Sequence, residues 1–466
     1  MATHLARTCD ATSASGYSLK WTWSGWVKRA KLGAEQGIMG NKRDDNNVNS
    51  RFKLYFRSTD KLGWECKDST GSDDSSFESN MLFRDTNAWY HIVLIYDTNN
   101  STATERIKCY VNGKDLRTEL GGFSSDDQAS SGFGTLWSSA VANYLGTSGN
   151  NSGIAMQFEG CMSHCHLTYG YRYEASTFGS FDSTTGEWKI NTSPSVTYGS
   201  QGYFLLKNDN SVTDQSGQSN NYTATGTLTK TEDNPSNVFC TMTMGGAAGS
   251  YQLSNGNLTC SGNSNNSWKY AFVGQVGANA GKYYWEVKLI TCNSHNITGV
   301  IRSDKVWTNA TLYSGGGWNG VQSSTSAGGL GIYSQTNASM GGALYIGGSS
   351  VTLTTNDIVM YALDLDNKKM WVGKNGVWAD DGSSGNTGNP STGAYPLWGT
   401  GEFTTGAHYL PASSIYYTNS HTYNFGNGYF GTTAVSSAGT NASNIGIFEY
   451  NVPTGFTAWS TKGLNE

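Results

Sequence analysis

Charge is scarce in this chain of 466 residues: Asp, Glu, Lys and Arg together make up 14% of it, against roughly a quarter in an average soluble domain. The net charge is −5 and no basic stripe is visible, which excludes nucleic acid as a partner, because phosphate binding rests on clustered Lys and Arg. The densest basic run, Lys28-Arg29-Ala30-Lys31, reads as a solvated strand end. No apolar run approaches the ~20 residues of a membrane-crossing helix. Residues 1–17 hold no apolar core of signal-peptide length. Synthesis in a cytosol without a signal peptide, and no membrane insertion, are therefore expected. Helical periodicity over ten or more residues is missing as well.

The eight cysteines, Cys9, Cys66, Cys109, Cys161, Cys165, Cys240, Cys260 and Cys292, show no paired framework and read as buried thiols. Cys161 and Cys165 beside His164 and His166 invite a zinc reading. On a strand, however, the two cysteines would stand about 13 Å apart along it, too far for one ion. Catalytic signatures are missing too: there is no Gly-x-Ser-x-Gly elbow, no His-Glu-x-x-His and no phosphate loop with Gly-Lys-Ser or Gly-Lys-Thr. Gly315-Gly316-Gly317-Trp318-Asn319-Gly320 lacks the lysine and reads as a loop.

What is present is glycine, 59 residues of it, a wealth of Ser, Thr and Asn, and 13% aromatic residues. Such a composition suits both strands and glycan-contacting surfaces. Sequons such as those at Asn191, Asn221 and Asn296 arise by chance in a chain of this kind and are expected to stay unmodified.

Period-2 patterns dominate. In Leu363 to Trp378 the apolar positions Leu363, Leu365, Met370, Val372 and Trp378 are separated by turn residues at Asn367-Lys368 and Asn375-Gly376, the pattern of strands folding back at tight reversals. A shorter echo is Arg106 to Val111 followed by Asn112-Gly113-Lys114. Trp21 and Trp23 alternate with Thr22 and Ser24. Ala88 to Asp97 is nearly all apolar, as a central strand buried on both faces would be. The fold class is therefore all-β: two antiparallel, jelly-roll-like β-sandwiches in tandem with a short C-terminal extension, as the chain's length also requires.

The order Trp21 to Arg29, Trp89 to Val93, Cys109 to Gly113 and Phe158-Glu159-Gly160 resembles laminin-G-like, concanavalin A-like domains. Phe178 to Asp182, Gly186 to Lys189, Tyr198 to Phe204 and Asp214 to Gly217 look like the version carried by virion proteins of tailed marine bacteriophages. The polar and sulfur-bearing stretch Cys161 to Thr168 departs from the apolar strand usual in those relatives. Farther on, Gly281 to Lys288, Ile297 to Ile301, Asp357 to Trp378 and Asn424-Phe425-Gly426 resemble a SPRY domain, a binding module. The expected divisions are a laminin-G-like domain at 1–240, a linker at 241–250 centred on Gly245 to Ser250, a SPRY-like domain at 251–430, and a docking segment at 431–466. In that last segment Phe448, Tyr450, Phe456 and Trp459 are too few to make a core of their own.

The resemblance implies a non-enzymatic virion-surface protein, whether capsid decoration, fibre or tail-associated, acting in adhesion or in recognition of a host-surface glycan or receptor. Other virion proteins and further copies of the same chain are its expected partners. Two alternatives stand beside it: a purely structural virion component, and a polysaccharide-degrading enzyme, which would need two carboxylates about 5 Å apart. Asp364 and Asp366 have the alternation for such a pair and equally suit solvent-facing acids at a turn. No cofactor is expected; calcium stays open through the resemblance, with no loop whose ligand spacing assigns it. For a ligand, aromatic residues in loops are the candidates, since a ring stacks on a sugar face while amides and hydroxyls bond its edges. These are Trp307, Tyr313, Trp318, Tyr395 and Trp398, which would otherwise cap the ends of a sandwich core.

Overall fold

The computed structural model describes residues 3–9, 17–42, 52–67, 73–137, 142–150, 153–207, 211–245, 252–262, 268–292, 296–306, 329–333, 344–381, 385–416 and 418–465. These divide into two compact units, Met1–Lys230 with Asn234–Ser236, and Thr231–Asp233 with Asn237–Glu466. Both are built of sheets that are antiparallel apart from one short parallel pairing in the second unit, and among the described residues the helices are single 3₁₀ turns.

In the first unit an eight-stranded sheet faces a six-stranded one. The six-stranded sheet runs Lys114–Asp115, Ile107–Val111, Trp89–Asp97, Lys20–Arg29, Gly160–Tyr169, Tyr203–Leu205. Its inner face supplies Trp21, Trp23, Val27, Ile92, Leu94, Tyr96 and Leu167 to a core that Phe52, Leu54, Trp64 and Phe77 complete. Trp21 stacks on Tyr96 at 5.4 Å and meets Trp137 edge-on at the same separation. Trp89–Asp97 is buried along its whole length, as its unbroken apolar run predicts. Asn112 and Gly113, with φ of 47° and 77°, form the two-residue hairpin turn that their identities predict.

The basic run is not a solvated end. Arg29 is fully buried, donating to Phe83 O at 2.6 Å and Asp60 Oδ1 at 3.1 Å, with its guanidinium 4.4 Å from the Phe56 ring centroid. Lys28 is buried as well. A buried guanidinium survives only when paired in this way. The departure at Cys161 to Thr168 also has a structural reason. The strand shifts register between Ser163 and His166, where His164 takes φ of 47°, so Cys165 enters the core while His166 turns to the outer face and packs on Phe204 at 3.9 Å.

The second unit pairs a five-stranded sheet with an eight-stranded one. The hairpins expected around residues 363–378 are its edge: Ile358–Asp364 pairs with Lys369–Lys374, which turns at Asn375 and Gly376 (φ 49° and 87°) into Val377–Trp378. Strand Lys282–Thr291 sits in the middle. One of its edges is held by Ile358–Asp364, and the other is shared. Residues 286–291 pair with Ser420–Asn424, and Tyr283 and Tyr284 pair in parallel with Thr457 and Ala458. The terminal segment thus closes an edge that would otherwise expose unpaired backbone groups. Phe448, Val452, Phe456 and Trp459 are buried in this unit, so the C-terminal stretch is part of the second sandwich.

The domain division also falls earlier than the expected 1–240. Phe239 and Cys240 are buried in the second unit, and Met242–Gly245, placed in the expected linker, is a strand paired with Trp268–Gly274. Apolar Phe239, Cys240 and Met242 are buried there and tie this stretch to the second unit. Gly246 to Ser250 lie outside the described residues.

Candidate functional site

The outer face of the six-stranded sheet carries Thr22, Ser24 and Trp26 from one strand, His91, Val93 and Ile95 from its neighbour, Tyr110 beyond that, and His166 and Phe204 on the other side. In a sandwich this face would meet water. Here residues 171–198 fold over it: Ala175 and Phe178 bury Val93 and Ile95, with Tyr110, Tyr173, Trp188 and Val196 packed around them.

Trp188 is the pivot of this cover. It lies on a small hairpin in which Gly179–Phe181 pairs with Trp188–Ile190. The turn between them is fixed by Asp182, whose Oδ1 accepts from the N–H groups of Thr184 and Thr185 while Oδ2 meets Lys189 Nζ at 2.6 Å. Two glycines make room for the indole. A Cβ on Gly113 would come within 2.3 Å of the ring and one on Gly179 within 2.6 Å, separations no real side chain tolerates. Below it Trp188 Nε1 donates to His91 Nδ1 at 3.0 Å, and the two rings stack at 5.9 Å.

That hydrogen bond fixes the chemistry of His91. Indole nitrogen only donates, so Nδ1 is the acceptor and the proton of the neutral ring sits on Nε2. Burial pushes His91 down to about 3, keeping it neutral. Nε2 therefore donates to Ser24 Oγ, 2.8 Å away. The pair has the spacing of a nucleophile and its base but the wrong proton arrangement, since the nitrogen facing the hydroxyl has no lone pair free to take its proton. It is a buried hydrogen bond between the two strands. His166 is pushed well down by burial as well and bonds Tyr198 OH through Nδ1 at 3.0 Å.

The solvent side of the cover is aromatic. Tyr171 and Phe181 are 43% and 47% exposed. Phe181 packs edge-on against Trp188 at 4.8 Å, and Tyr171 stacks on Tyr173 at 6.5 Å. Next to Tyr171 in sequence, Arg172 bridges Glu105 and Glu174 at 2.8 and 3.1 Å, and Tyr110 OH donates to Glu174 Oε2 at 2.6 Å. Rings held rigidly beside fixed polar groups are the arrangement that meets the apolar face and hydroxyl edge of a sugar.

The residues picked out from sequence fare differently. Trp307, Tyr313 and Trp318, and with them the loop Gly315 to Gly320, lie outside the described residues. Tyr395 is 49% exposed, in a turn with φ of 50°. Trp398 is only 5% exposed and belongs to the second unit's core, where its backbone bonds to Met370 on the hairpin edge; it caps the core and presents no face to a ligand. The carboxylates of Asp364 and Asp366 are each engaged by neighbours at the turn. Asp364 is buried, bonded to Asn367 and to Lys282 Nζ at 3.0 Å, and Asp366 Oδ1 accepts from Gly281 N–H at 2.8 Å. Both stabilise the turn and its neighbour. Cys161, Cys165, His164 and His166 do not converge, and among the described residues no three His, Cys, Asp or Glu side chains are placed to hold a metal ion. The sequence signal for the 171–198 cover is its dense aromatic spacing, Tyr171, Tyr173, Phe178, Phe181 and Trp188.

Residues 6–163 match the family model of the concanavalin A-like lectin/glucanases superfamily, laminin-G type. Among solved structures the chain is similar to the carbohydrate-binding module (CBM40) of the Ruminococcus gnavus IT-sialidase bound to α2,3-sialyllactose, at 16% identity and a TM-score of 0.26, over 34% of this chain and 82% of that one. It is also similar to the SPRY domain of human HERC1, at 14% identity and 0.23, over 37% and 91%, and to the TRIM65 PSpry domain, at 13% and 0.27, over 40% and 89%. Identities and scores this low carry no argument about function. No curated protein sequence matches the chain. Among the described residues no helix is long and apolar enough to cross a membrane.

Proposed function

We propose that this protein is a non-enzymatic recognition component that binds a glycan through the aromatic cover of its first sandwich. The carrying observation is that the six-stranded sheet, four of whose strands lie within the residues 6–163 that match the concanavalin A-like lectin/glucanases superfamily, carries over its outer face a cover in which Phe181 is exposed yet seated on Trp188, itself bonded to His91, and Tyr171 is exposed beside Tyr173. An exposed ring held in place by its neighbours is a surface on which the apolar face of a sugar stacks. The wrong-handed proton arrangement at Ser24 and His91 and the structural roles of Asp364 and Asp366 favour binding over turnover. The resemblance of residues 178–217 to virion proteins of tailed marine phages supports a place on a virion surface, in contact with other virion proteins.

Incubating the purified protein with insoluble and soluble polysaccharides tests this. It should be retained without releasing reducing ends. Release of reducing sugar would support the degrading enzyme, and absence of any retention would leave a structural role. Immunogold labelling of intact particles tests the virion placement separately.

A further inference from the structure

We propose that the second unit carries a binding cleft of its own, suited to a neutral saccharide residue, at the seam where its terminal segment joins strand Lys282–Thr291. The cleft has a volume of about 610 Å³, within the roughly 300–1,000 Å³ usual for small-molecule sites. It stands independently of the first unit's aromatic cover.

Its wall includes Tyr283 and Phe456, with Lys282 Nζ 5.9 Å from the Phe456 ring centroid. Lys282 carries three N–H donors, one of which is engaged by Asp364 Oδ2 at 3.0 Å. Asp366 uses Oδ1 to hold Gly281 N–H and, as a carboxylate, keeps acceptor capacity on its second oxygen. The decisive group is Thr457. It lines the cleft, is 7% exposed, and its Oγ1 has no hydrogen-bond partner among the described residues. A buried hydroxyl left unpaired is costly and calls for an explanation. Rotation about χ1 between staggered wells is the motion that offers it to a ligand.

The charges choose the ligand class. One lysine sits beside two carboxylates, Asp364 and Asp366, so the local balance is negative and repels an anion. A neutral hexose or N-acetylhexosamine, with hydroxyls that both donate and accept, matches a donor, an acceptor and a hydroxyl on one wall; Tyr283 and Phe456, 2% and 3% exposed, offer it no open ring face.

Saturation-transfer NMR and calorimetry on the full chain, with methyl glycosides of glucose, galactose, mannose and N-acetylglucosamine as probes, test the assignment. At least one probe should bind, and Thr457→Val and Asp366→Asn should each weaken it about tenfold or more. Thr457→Val should keep or raise the melting temperature, because a methyl replaces a hydroxyl that has no partner. In a background carrying Tyr171→Ala and Phe181→Ala, which removes the first unit's contribution, the probe should still bind and Thr457→Val should still weaken it, and glucuronic acid should not compete. The proposal is overturned if none of the four probes binds, if both cleft variants bind like the wild type, or if no binding remains in the Tyr171→Ala, Phe181→Ala background.

Discussion

The carboxylate of Glu286, fully buried in the second unit, accepts a hydrogen bond from the backbone N–H of Tyr450 at 2.8 Å. Glu449 N–H, Tyr284 OH and Asn424 Nδ2 complete the shell at 2.9, 2.9 and 3.2 Å. Asn424 in turn holds Ile447 O and accepts from Gly426 and Gly428. One acid therefore ties the central strand, the closing Asn-Phe-Gly and the terminal segment together.

Replacing Glu286 by Gln sets an NH₂ against groups that donate, and should destabilise the second unit by about 1–3 kcal/mol at pH 5. The pH dependence follows from burial, which outweighs these donors and pushes the carboxyl up from 4.5 to about 7. Between those values the native state keeps a proton that the unfolded chain releases. The group's contribution is therefore fully present below about pH 4.5 and is lost as pH rises through about 7. The gap in unfolding free energy between wild type and Glu286→Gln should accordingly narrow from pH 5 to pH 8 in parallel denaturant titrations. A gap that widens would mean that the four donors hold the acid ionised.

Trp459 tests whether the terminal segment is integral. It is fully buried, with its ring 4.8 Å from Tyr283 and 5.3 Å from Trp285, so Trp459→Ala should cost about 3–5 kcal/mol. Removing residues 446–466 should prevent the second unit from reaching its native near-ultraviolet circular dichroism. A truncated chain with wild-type melting would show that the segment is dispensable.

The extent to which these features were legible depended on how local their causes are. Asn112-Gly113 and Asn375-Gly376 could be read because a hairpin turn with two positive φ angles is a property of two adjacent residues. The burial of Trp89–Asp97 was written in its unbroken apolar run. Arg29 was misread because its partner Asp60 lies 31 residues away, and nothing near it in sequence announces an ion pair. The aromatic cover was missed for the same reason: Trp188 gains its place from His91, 97 residues earlier, and from the absence of a Cβ on Gly113. Trp398 looked like a loop residue because a β-bridge to Met370 leaves no periodic trace. The terminal segment's aromatic residues were recognised as needing cover, but an isolated two-residue parallel pairing has no sequence pattern.

Six of the eight cysteines are buried, and burial pushes thiols such as Cys9 up, to about 11, which suppresses the reactive thiolate. A thiol-reactive chromophore should therefore modify only Cys161 and Cys292 rapidly in the native protein and all eight after unfolding. Adding reductant should leave the melting temperature unchanged. A large fall would indicate disulfides that the folded chain does not contain.

Glycan binding by the exposed rings of the first unit is measured most directly on a glycan array probed with wild type and with the double variant Tyr171→Ala, Phe181→Ala. Both side chains are largely exposed, so the variant should melt within about a degree of the wild type. The wild type is expected to bind at least one glycan class with little dependence on salt, since stacking displaces few counterions. The variant should bind it at least about tenfold more weakly, a loss within the reach of two stacked rings. A wild type that binds no glycan, or a double variant that binds as the wild type does, would contradict the claim.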